Sequence, residues 1–384
     1  MDNITSKKPL IALLTNNDDD VYCFRKELIE GLIENGYKVL ISCPDGPKFQ
    51  LLSHLDYIYD NPNIDRRGTN VIADYKLYRH YVKLFKKYRP TAVLTYTAKP
   101  NVYAGMASKK LKIPYVVNVT GLGSVINKKG LIKKIIMSLF KKSYRNASCV
   151  MFQNSTNMQT AIANKMVKGR YKLLPGSGVN VIRYPLQEYP SGGNGIVGDT
   201  VRFNYIGRIL KDKGVDDYIE VAKRIKQKYS AVEFNMIGFI EPTEIHYEND
   251  LRLLQSQGII NYHGSQNDVK PFIARSHATI HPSIYGEGMS NVLLESASSG
   301  RPLITTDNAG CKETVSDGET GYIYQGGNTI ELYDFIEKFL AMPNDKRREM
   351  GEKGREKVAK EFSREVVVKA YLEELAIIQN GEKR

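Results

Sequence analysis

Two stretches of the chain carry side chains whose types and spacing suit chemistry on an anionic ligand rich in hydroxyl groups. In "YIGRILKDKGVDDYIE", Gly207 closes an apolar run, Arg208 and Lys213 follow as paired cations, and Gly214 leads into an amphipathic pattern. Small residues let backbone approach a ligand closely, and two cations neutralise a diphosphate. In "HPSIYGEGMSNVLLESASSGRPLIT", Glu287 lies between Gly286 and Gly288, and Glu295 follows eight positions later. If a helix starts after these glycines, the amides of Met289, Ser290 and Asn291 are its unpaired first-turn donors. Glu295 then lies about two turns in, where a carboxylate accepts from hydroxyls and repels phosphate; a ribose is the fitting partner. Two glutamates at this spacing occur by chance in many helical proteins, so the spacing alone is a weak signal among helix-surface decoration, an acid/base pair and ligand clamps. The adjoining cations and amides favour clamps, because an acid/base pair requires neither.

The elements that must position these loops show as short apolar, β-branched runs: "PLIALLTN", "YKVLIS", "AVLTYT", "YVVNVT" and "CVMFQN" in the first half. Helical patterns lie between them, such as "FRKELIEGLIENG" and "DYKLYRHYVKLFKKYRP". The rhythm restarts with "VRFNYIG", "GVDDYIEVAKRIKQKY", "VEFNMIG", "IINYHG", "HATIHPS" and "PLITT". Alternating strands and helices predict parallel sheets with helices on both faces, and ligands then bind beyond the carboxyl ends of the strands. A length of 384 residues predicts two such domains. The intervening "PGSGVNVIRYPLQEYPSGGNGIVGDT" is rich in Pro, Gly, Ser and Asn, which places a hinge near residues 180–198.

Composition narrows the setting. Cys23, Cys43, Cys149 and Cys311 show no CxxC spacing, which predicts free thiols in a reducing compartment and no zinc framework. The opening "MDNITSKKPLIALLTN" has only a short apolar run, and no stretch reaches the ~18 apolar residues of a spanning helix, so neither a signal peptide nor a transmembrane segment is expected. Charge is uneven: residues 1–185 hold 30 Lys+Arg against 12 Asp+Glu (+18), the remainder 25 against 30 (−5), summing to +13. No acidic residue falls between Asp74 and Glu188, so the first half suits an anionic partner such as nucleic acid, a phospholipid surface or a diphosphate.

The string "PSIYGEGMSNVLLESASSGRPLITTD", followed by "AGCKETVSDGETGYIY", resembles the family 4 glycosyltransferases of GT-B fold, whose E-x7-E motif sits in such a strand–loop–helix. "YIGRILKDKG" is similar to that family's donor loop, and "YHGSQNDVKPFIARSHATIHPS" fills the intervening order, so the resemblance covers nearly the whole chain. It implies an α/β GT-B architecture: two doubly wound, Rossmann-like parallel-sheet domains facing across a cleft. Residues 1–185 would bind acceptor, completed by a helix within 364–384, and residues 186–363 would bind the nucleotide sugar. It further implies a retaining, metal-independent sugar transfer with no cofactor beyond a UDP-sugar donor. Carried over by position, Gly207, Arg208 and Lys213 hold the diphosphate, Glu287 accepts from donor-sugar hydroxyls, the backbone from Gly288 through Met289, Ser290 and Asn291 meets sugar and phosphate, and Glu295 binds ribose. Arg208 and Lys213 would also stabilise the leaving nucleoside diphosphate in place of magnesium.

The first half departs from the family's pattern. A glycine-rich loop is replaced by "TNNDDDVY", with Asn16, Asn17 and Asp18, and the histidine common after a middle strand is absent from "VNVTGLGS", which offers Thr120 and Gly121. "TYTAKPNVYAG", with Lys99, and "LLPGSGVN" resemble a bacterial subgroup that extends sugars on undecaprenyl diphosphate in O-antigen, capsule and glycan assembly. That implies transfer of an N-acetylhexosamine or related hexose to a polyprenyl-diphosphate-linked saccharide, on the inner face of the plasma membrane. "NKKGLIKKIIMSLFKKSYRN" has seven basic residues and no acidic one. On a helical wheel Leu131, Ile135 and Phe140 gather opposite Lys133, Lys134 and Lys141, a pattern of an interfacial helix on an anionic membrane or of a helix packed on the sheet. Competing readings are a nucleotide-sugar epimerase on the same architecture and a basic nucleic-acid-binding protein. The latter lacks an aromatic-interleaved basic groove.

Overall fold

A computed structural model describes residues 8–64, 68, 70–121 and 130–381, with Leu131, Ile132 and Lys133 described by backbone alone. The chain divides into two compact units, Met1–Ser177 with Arg364–Arg384, and Gly178–Ser363.

In the first unit, β1 (Leu10–Leu14), β2 (Lys38–Ser42), β3 (Tyr57–Asp60), β4 (Ala92–Tyr96), β5 (Tyr115–Val119), β6 (Cys149–Phe152) and β7 (Arg170–Leu173) form a parallel sheet in the order β3-β2-β1-β4-β5-β6-β7. A parallel sheet is covered on both faces, which is why its central strands are unbroken apolar runs: every residue of β4, β5 and β6 is buried. The covering helices are α1 (Asp18–Glu34), α2 (Val71–Tyr88), α3 (Ala98–Leu111), α4 (Gly130–Tyr144) and α5 (Ser155–Ala163). One face packs Tyr81, Phe85 and Phe140 against the sheet. The other packs Leu28 and Leu32 of α1 together with Val367, Tyr371 and Leu375 of α12 (Arg364–Gln379), a helix from the far end of the sequence. That helix also brings carboxylates to an acid-free stretch, where Glu374 pairs with Arg170 and Glu373 lies 3.4 Å from Lys172.

In the second unit, β8 (Val201–Ile206), β9 (Val232–Ile237), β10 (Asn261–Tyr262), β11 (Ala278–His281), β12 (Leu303–Thr306) and β13 (Gly321–Tyr324) form a parallel sheet in the order β10-β9-β8-β11-β12-β13. The surrounding helices are α6 (Val215–Lys228), α7 (Tyr247–Ser256), α8 (Lys270–Arg275), α9 (Asn291–Ser298), α10 (Thr329–Ala341) and α11 (Asn344–Glu361). Both units are therefore Rossmann-like.

Both strand orders reverse once, between β1 and β4 and between β8 and β11. Connections diverge from such a point and leave a crevice at the carboxyl ends of the strands. The loop after β8 carries Arg208 and Lys213, and the loop after β11 carries Glu287, so the fold itself brings the two motifs side by side. The Pro/Gly-rich segment beyond Gly178 belongs to the second unit. Arg355 of α11 donates to the carbonyls of Val181 and Tyr184, Arg301 to those of Gln187 and Glu188, and the Tyr189 hydroxyl to His277 O. These grips fix a segment that lacks any periodicity of its own. The two units thus part at Ser177–Gly178 and again at Ser363–Arg364, where the expected division was 185/186 and 363.

Candidate functional site

The loop after β8 turns through Lys211–Lys213 into α6 by way of Gly214, whose φ of +71° is a left-handed conformation. A Cβ at Gly214 would stand 2.0 Å from Pro282 O, so only glycine lets this loop lie against the end of β11. The amides of Ile284 and Tyr285 both donate to Asp212 O, at 3.1 Å, and tie the two loops together. Lys213 Nζ consequently donates to Glu287 Oε1 at 2.6 Å, with both side chains mostly buried. Arg208 is held differently: its NH1 donates to Glu241 Oε1, 2.6 Å away in the loop after β9, with the arginine half exposed and the glutamate buried.

Glu287 is the hub. Besides Lys213, its Oε1 meets His281 Nε2 at 2.9 Å, and that nitrogen lies 3.3 Å from Ser290 Oγ. Burial alone would raise the carboxyl's pKa; the hydrogen bonds and positive charge supplied by His281 and Lys213 prevail and hold it well below the usual carboxylate range. Glu287 is therefore ionised at neutral pH. Its backbone is clipped from the other side: Glu287 N donates to Ala309 O at 3.0 Å and Ser290 N to Gly310 O at 2.8 Å. Gly310 has a φ of +83°, and a Cβ there would stand 2.9 Å from Glu287 O; Glu313 Oε2 accepts from its amide.

Three free amides were expected at the start of α9. Ser290 N is spent on Gly310, because the strap at 309–310 pairs with this turn, whereas the amides of Met289 and Asn291 meet no acceptor among the described residues. The Asn291 carboxamide oxygen is likewise buried without a partner among them. Such groups are rarely left so in a resting fold, and a polar ligand would satisfy them. Glu295 is on α9, one turn past that start, and accepts a hydrogen bond from the Tyr184 phenol. Burial, then the Glu295 charge, raises the pKa of that phenol, so it stays a neutral donor. Gly207, at the end of β8, spends its amide on Ile237 O at 2.9 Å. His281, Glu287 and Cys311 also bring a nitrogen, an oxygen and a sulfur within 4.8 Å of one another.

Residues 11–154 match the family described as "Glycosyl transferase 4-like", and residues 191–357 match "Glycosyl transferases group 1". The chain belongs to the family 4 glycosyltransferases. Over 377 residues, 94% of this chain and 97% of the relative, it is 24% identical to the N,N'-diacetylbacillosaminyl-diphospho-undecaprenol alpha-1,3-N-acetylgalactosaminyltransferase of Campylobacter jejuni. It is 25% identical over 314 residues, 79% of this chain and 80% of the relative, to the capsular polysaccharide biosynthesis glycosyltransferase CapM of Staphylococcus aureus. The crystal structure of Anabaena HepE with UDP and glucose superposes with a TM-score of 0.76 at 17% identity, covering 96% of this chain and 99% of that one. The glycosyltransferase is thus of GT-B fold. Its relatives are named as transferases, which leaves the epimerase reading without support.

The first unit of the glycosyltransferase uses the crevice at its own reversal point in another way. Asn17 caps α1, its Oδ1 accepting from Asp20 N at 2.7 Å, and its Nδ2 donates to Asn16. The three aspartates then divide: Asp18 accepts from Lys48 N at 3.0 Å, Asp19 lies 3.4 Å from Lys48 Nζ, and buried Asp20 accepts from Thr15 at 2.5 Å and faces Arg25. Three carboxylates in a helix's first turn also complement its dipole. Lys99, in the first turn of α3 after β4, pairs with Asp74 at 2.7 Å. Between them Thr97 adopts a φ of +65°, a strained position for threonine. Thr120 and Gly121 end the described part of the loop after β5; the rest of "VTGLGS" lies outside the described residues. On α4, Lys134 and Ile135 are exposed and Lys141 is half-buried. The side chains of Leu131 and Lys133 lie outside the described residues. Phe140 corrects the expectation of a lipid-facing ring: it is in the core, stacked on Tyr144 with centroids 5.3 Å apart, because α4 packs that edge against α3. Among the described residues no helix is long and apolar enough to cross a membrane.

His281, Glu241 and Tyr184 were not singled out by sequence. A signal existed for Glu241, which follows a strand in "NMIGFIE" as Arg208 follows one in "NYIGR". None marks Tyr184, whose role depends on how an aperiodic segment folds back.

Proposed function

We propose that this glycosyltransferase moves a sugar of the hexose or N-acetylhexosamine class from a UDP-sugar to a saccharide carried on a polyprenyl diphosphate, with retention of configuration, in assembly of a bacterial surface glycan. The observation that carries the reading is the Lys213–Glu287 pair at the reversal point of the second sheet, 2.6 Å apart, with Arg208 in the same loop as Lys213. Lys213 and Arg208 meet the donor diphosphate and stabilise the charge that develops on the leaving UDP, which is the work a divalent cation does elsewhere. Glu287, kept ionised, accepts from donor-sugar hydroxyls. Glu295, steadied by Tyr184, accepts from the ribose.

The donor class is supported by the UDP in the HepE structure, and the acceptor class by the name of the Campylobacter relative. Domain roles follow: the second unit takes donor, and the first, with its acid-free stretch, takes acceptor at the leaflet surface. Exposed Lys134, Ile135 and Lys142 of α4, and exposed Val71, Ile72 and Tyr75 on the first turns of α2, offer cationic and apolar side chains suited to an anionic headgroup layer, without a nucleic-acid partner.

The test is incubation with UDP-hexoses and UDP-N-acetylhexosamines in EDTA, with and without an undecaprenyl-diphosphate-linked saccharide. UDP release that requires the lipid-linked acceptor and survives EDTA is the expected result; release independent of acceptor, or abolished by EDTA, overturns it. Salt-sensitive sedimentation with anionic liposomes, lost when Lys134, Lys141 and Lys142 become Glu, is the membrane arm. Undiminished sedimentation of that folded variant would remove the membrane from the reading.

A further inference from the structure

One side chain of the site beside Glu287, the Cys311 thiol, is left unused by sugar transfer. Cys311 is fully buried just after the Gly310 strap, and His281 ends β11; a ring nitrogen of His281, a carboxylate oxygen of Glu287 and Cys311 Sγ all lie within 4.8 Å of one another. Thiolate, imidazole and carboxylate together are a ligand set for zinc-like cations, at about 2.3 Å to sulfur and about 2.0–2.2 Å to nitrogen and oxygen. Such bond lengths put tetrahedral ligand atoms roughly 3.3–3.7 Å apart. Side-chain shifts on the order of 1 Å would close the shell from the separations seen here. His281 is the last residue of β11, which pairs with β12, and Cys311 lies in the loop that follows β12, its amide bonded to Asn308 O at 3.1 Å. His281 Nδ1 is also buried without a partner among the described residues, which leaves the ring free to choose either nitrogen. What stands against a metal is Lys213, whose ammonium already occupies Glu287 Oε1.

We infer that His281, Glu287 and Cys311 form an inhibitory site for a thiophilic divalent cation, which binds by displacing Lys213 from Glu287. Three coordinate bonds form, the Cys311 thiol releases its proton to solvent, the Lys213–Glu287 hydrogen bond breaks with the ammonium still charged, and water completes the fourth position. Binding itself depends only on the cluster; inhibition rests on the donor-site roles proposed for Lys213 and Glu287.

The two are separated by using cadmium on the full chain, freed of metal by chelator, and following the ultraviolet charge-transfer band of a cadmium–thiolate bond. One equivalent should bind the parent. Cys311→Ala should abolish the band, as should Cys311→Ser, a closer match in volume should alanine disturb packing. Lys213→Ala should bind at least tenfold more tightly, because the competing ammonium is gone, and this arm reads correctly whether or not that variant transfers sugar. Zinc should inhibit the parent reversibly, and Cys311→Ala, with its activity kept, should be insensitive. A parent that binds no cadmium, a band that persists at parental stoichiometry without Cys311, or an affinity unmoved by Lys213→Ala overturns the site. Zinc binding without loss of transfer would leave the metal site standing and overturn its inhibitory role.

Discussion

Lys213→Ala removes a charge from a site where two groups depend on it. With Nζ 2.6 Å from Glu287 Oε1, the gross attraction is on the order of 6 kcal/mol at an effective dielectric of 20. Desolvation cancels much of this, and breaking a buried pair on one side typically costs about 3–5 kcal/mol. Glu287 is 18% exposed and keeps its bond to His281, so the lower end of that range, about 3 kcal/mol, is expected for the second unit. Turnover should fall by about 10²–10³, as when one preorganised donor is lost from a developing anion. The pH profile discriminates further. In the parent the Glu287 carboxyl lies below its unfolded value, so its contribution is complete above the ordinary carboxylate range and is lost only as pH falls through the depressed folded value. Without Lys213, burial is opposed by less positive charge and one hydrogen bond fewer, and the carboxyl must rise. An acid limb absent from the parent should then enter the kcat profile of Lys213→Ala, at higher pH than the depressed parental carboxyl titrates and so nearer the range of a UDP-release assay. Lys213→Arg, which keeps the charge, should recover part of the rate without the acid limb. Turnover of Lys213→Ala within a few-fold of the parent, or an unchanged profile with only a raised KM, would refute the reasoning.

Glu241→Gln should loosen Arg208 and lower kcat/KM about fivefold, near 1 kcal/mol because the arginine is 43% exposed, and should cost nothing more in an Arg208→Ala background. An equal loss in both backgrounds would show that Glu241 acts elsewhere. Tyr184→Phe should raise the donor KM about fivefold at constant kcat, as expected when a ground-state clamp loses its orienting hydrogen bond. A fall in kcat at unchanged KM would contradict the ribose assignment of Glu295. Gly214→Ala should lower the melting temperature by several degrees, since the strained φ costs about 1–3 kcal/mol before the clash with Pro282 O is counted. A variant that melts with the parent would mean that the loop relaxes without cost.

Apart from the edge strand β10, read from "IINYHG", the strands that an apolar run announces are the central ones. The three that gave no such sign, Tyr57–Asp60, Arg170–Leu173 and Gly321–Tyr324, all lie at sheet edges. An edge strand is covered on fewer sides, so β7 alternates exposed and half-buried residues and carries Arg170 and Lys172, a pattern too short and too polar to stand out. Helix starts were legible only where apolar spacing begins: α1 was read from Phe24, yet it starts at Asp18, because Asn17 supplies the cap and the aspartates the first turn. In the site, Arg208, Lys213, Glu287 and Glu295 could be singled out because each lies in or just beyond a strand-end loop with glycine. Their second partners were hidden. Glu241 comes from a different strand end and Tyr184 from the linker, each far in sequence from the residue it serves, while His281 is the last residue of β11, six positions before Glu287, where nothing in its spacing marks which carboxylate it meets.

The helix that returns from Ser363 to finish the first unit has a consequence for the order in which the protein is made. Gly178–Ser363 is continuous and can close as soon as it has emerged, but the cluster holding Ile11, Leu28 and Tyr96 stays open until Val367, Tyr371 and Leu375 arrive. From residue 177 to residue 379 is 202 residues, or roughly 10–40 seconds of synthesis at ordinary rates. During that interval a largely apolar sheet face, covered only in part by α1, waits on the ribosome, so the half made first is the half finished last. A nascent-chain chaperone has its natural target there, and a frameshift ahead of the codons for residues 364–379 would strike the unit built mainly from residues before 178.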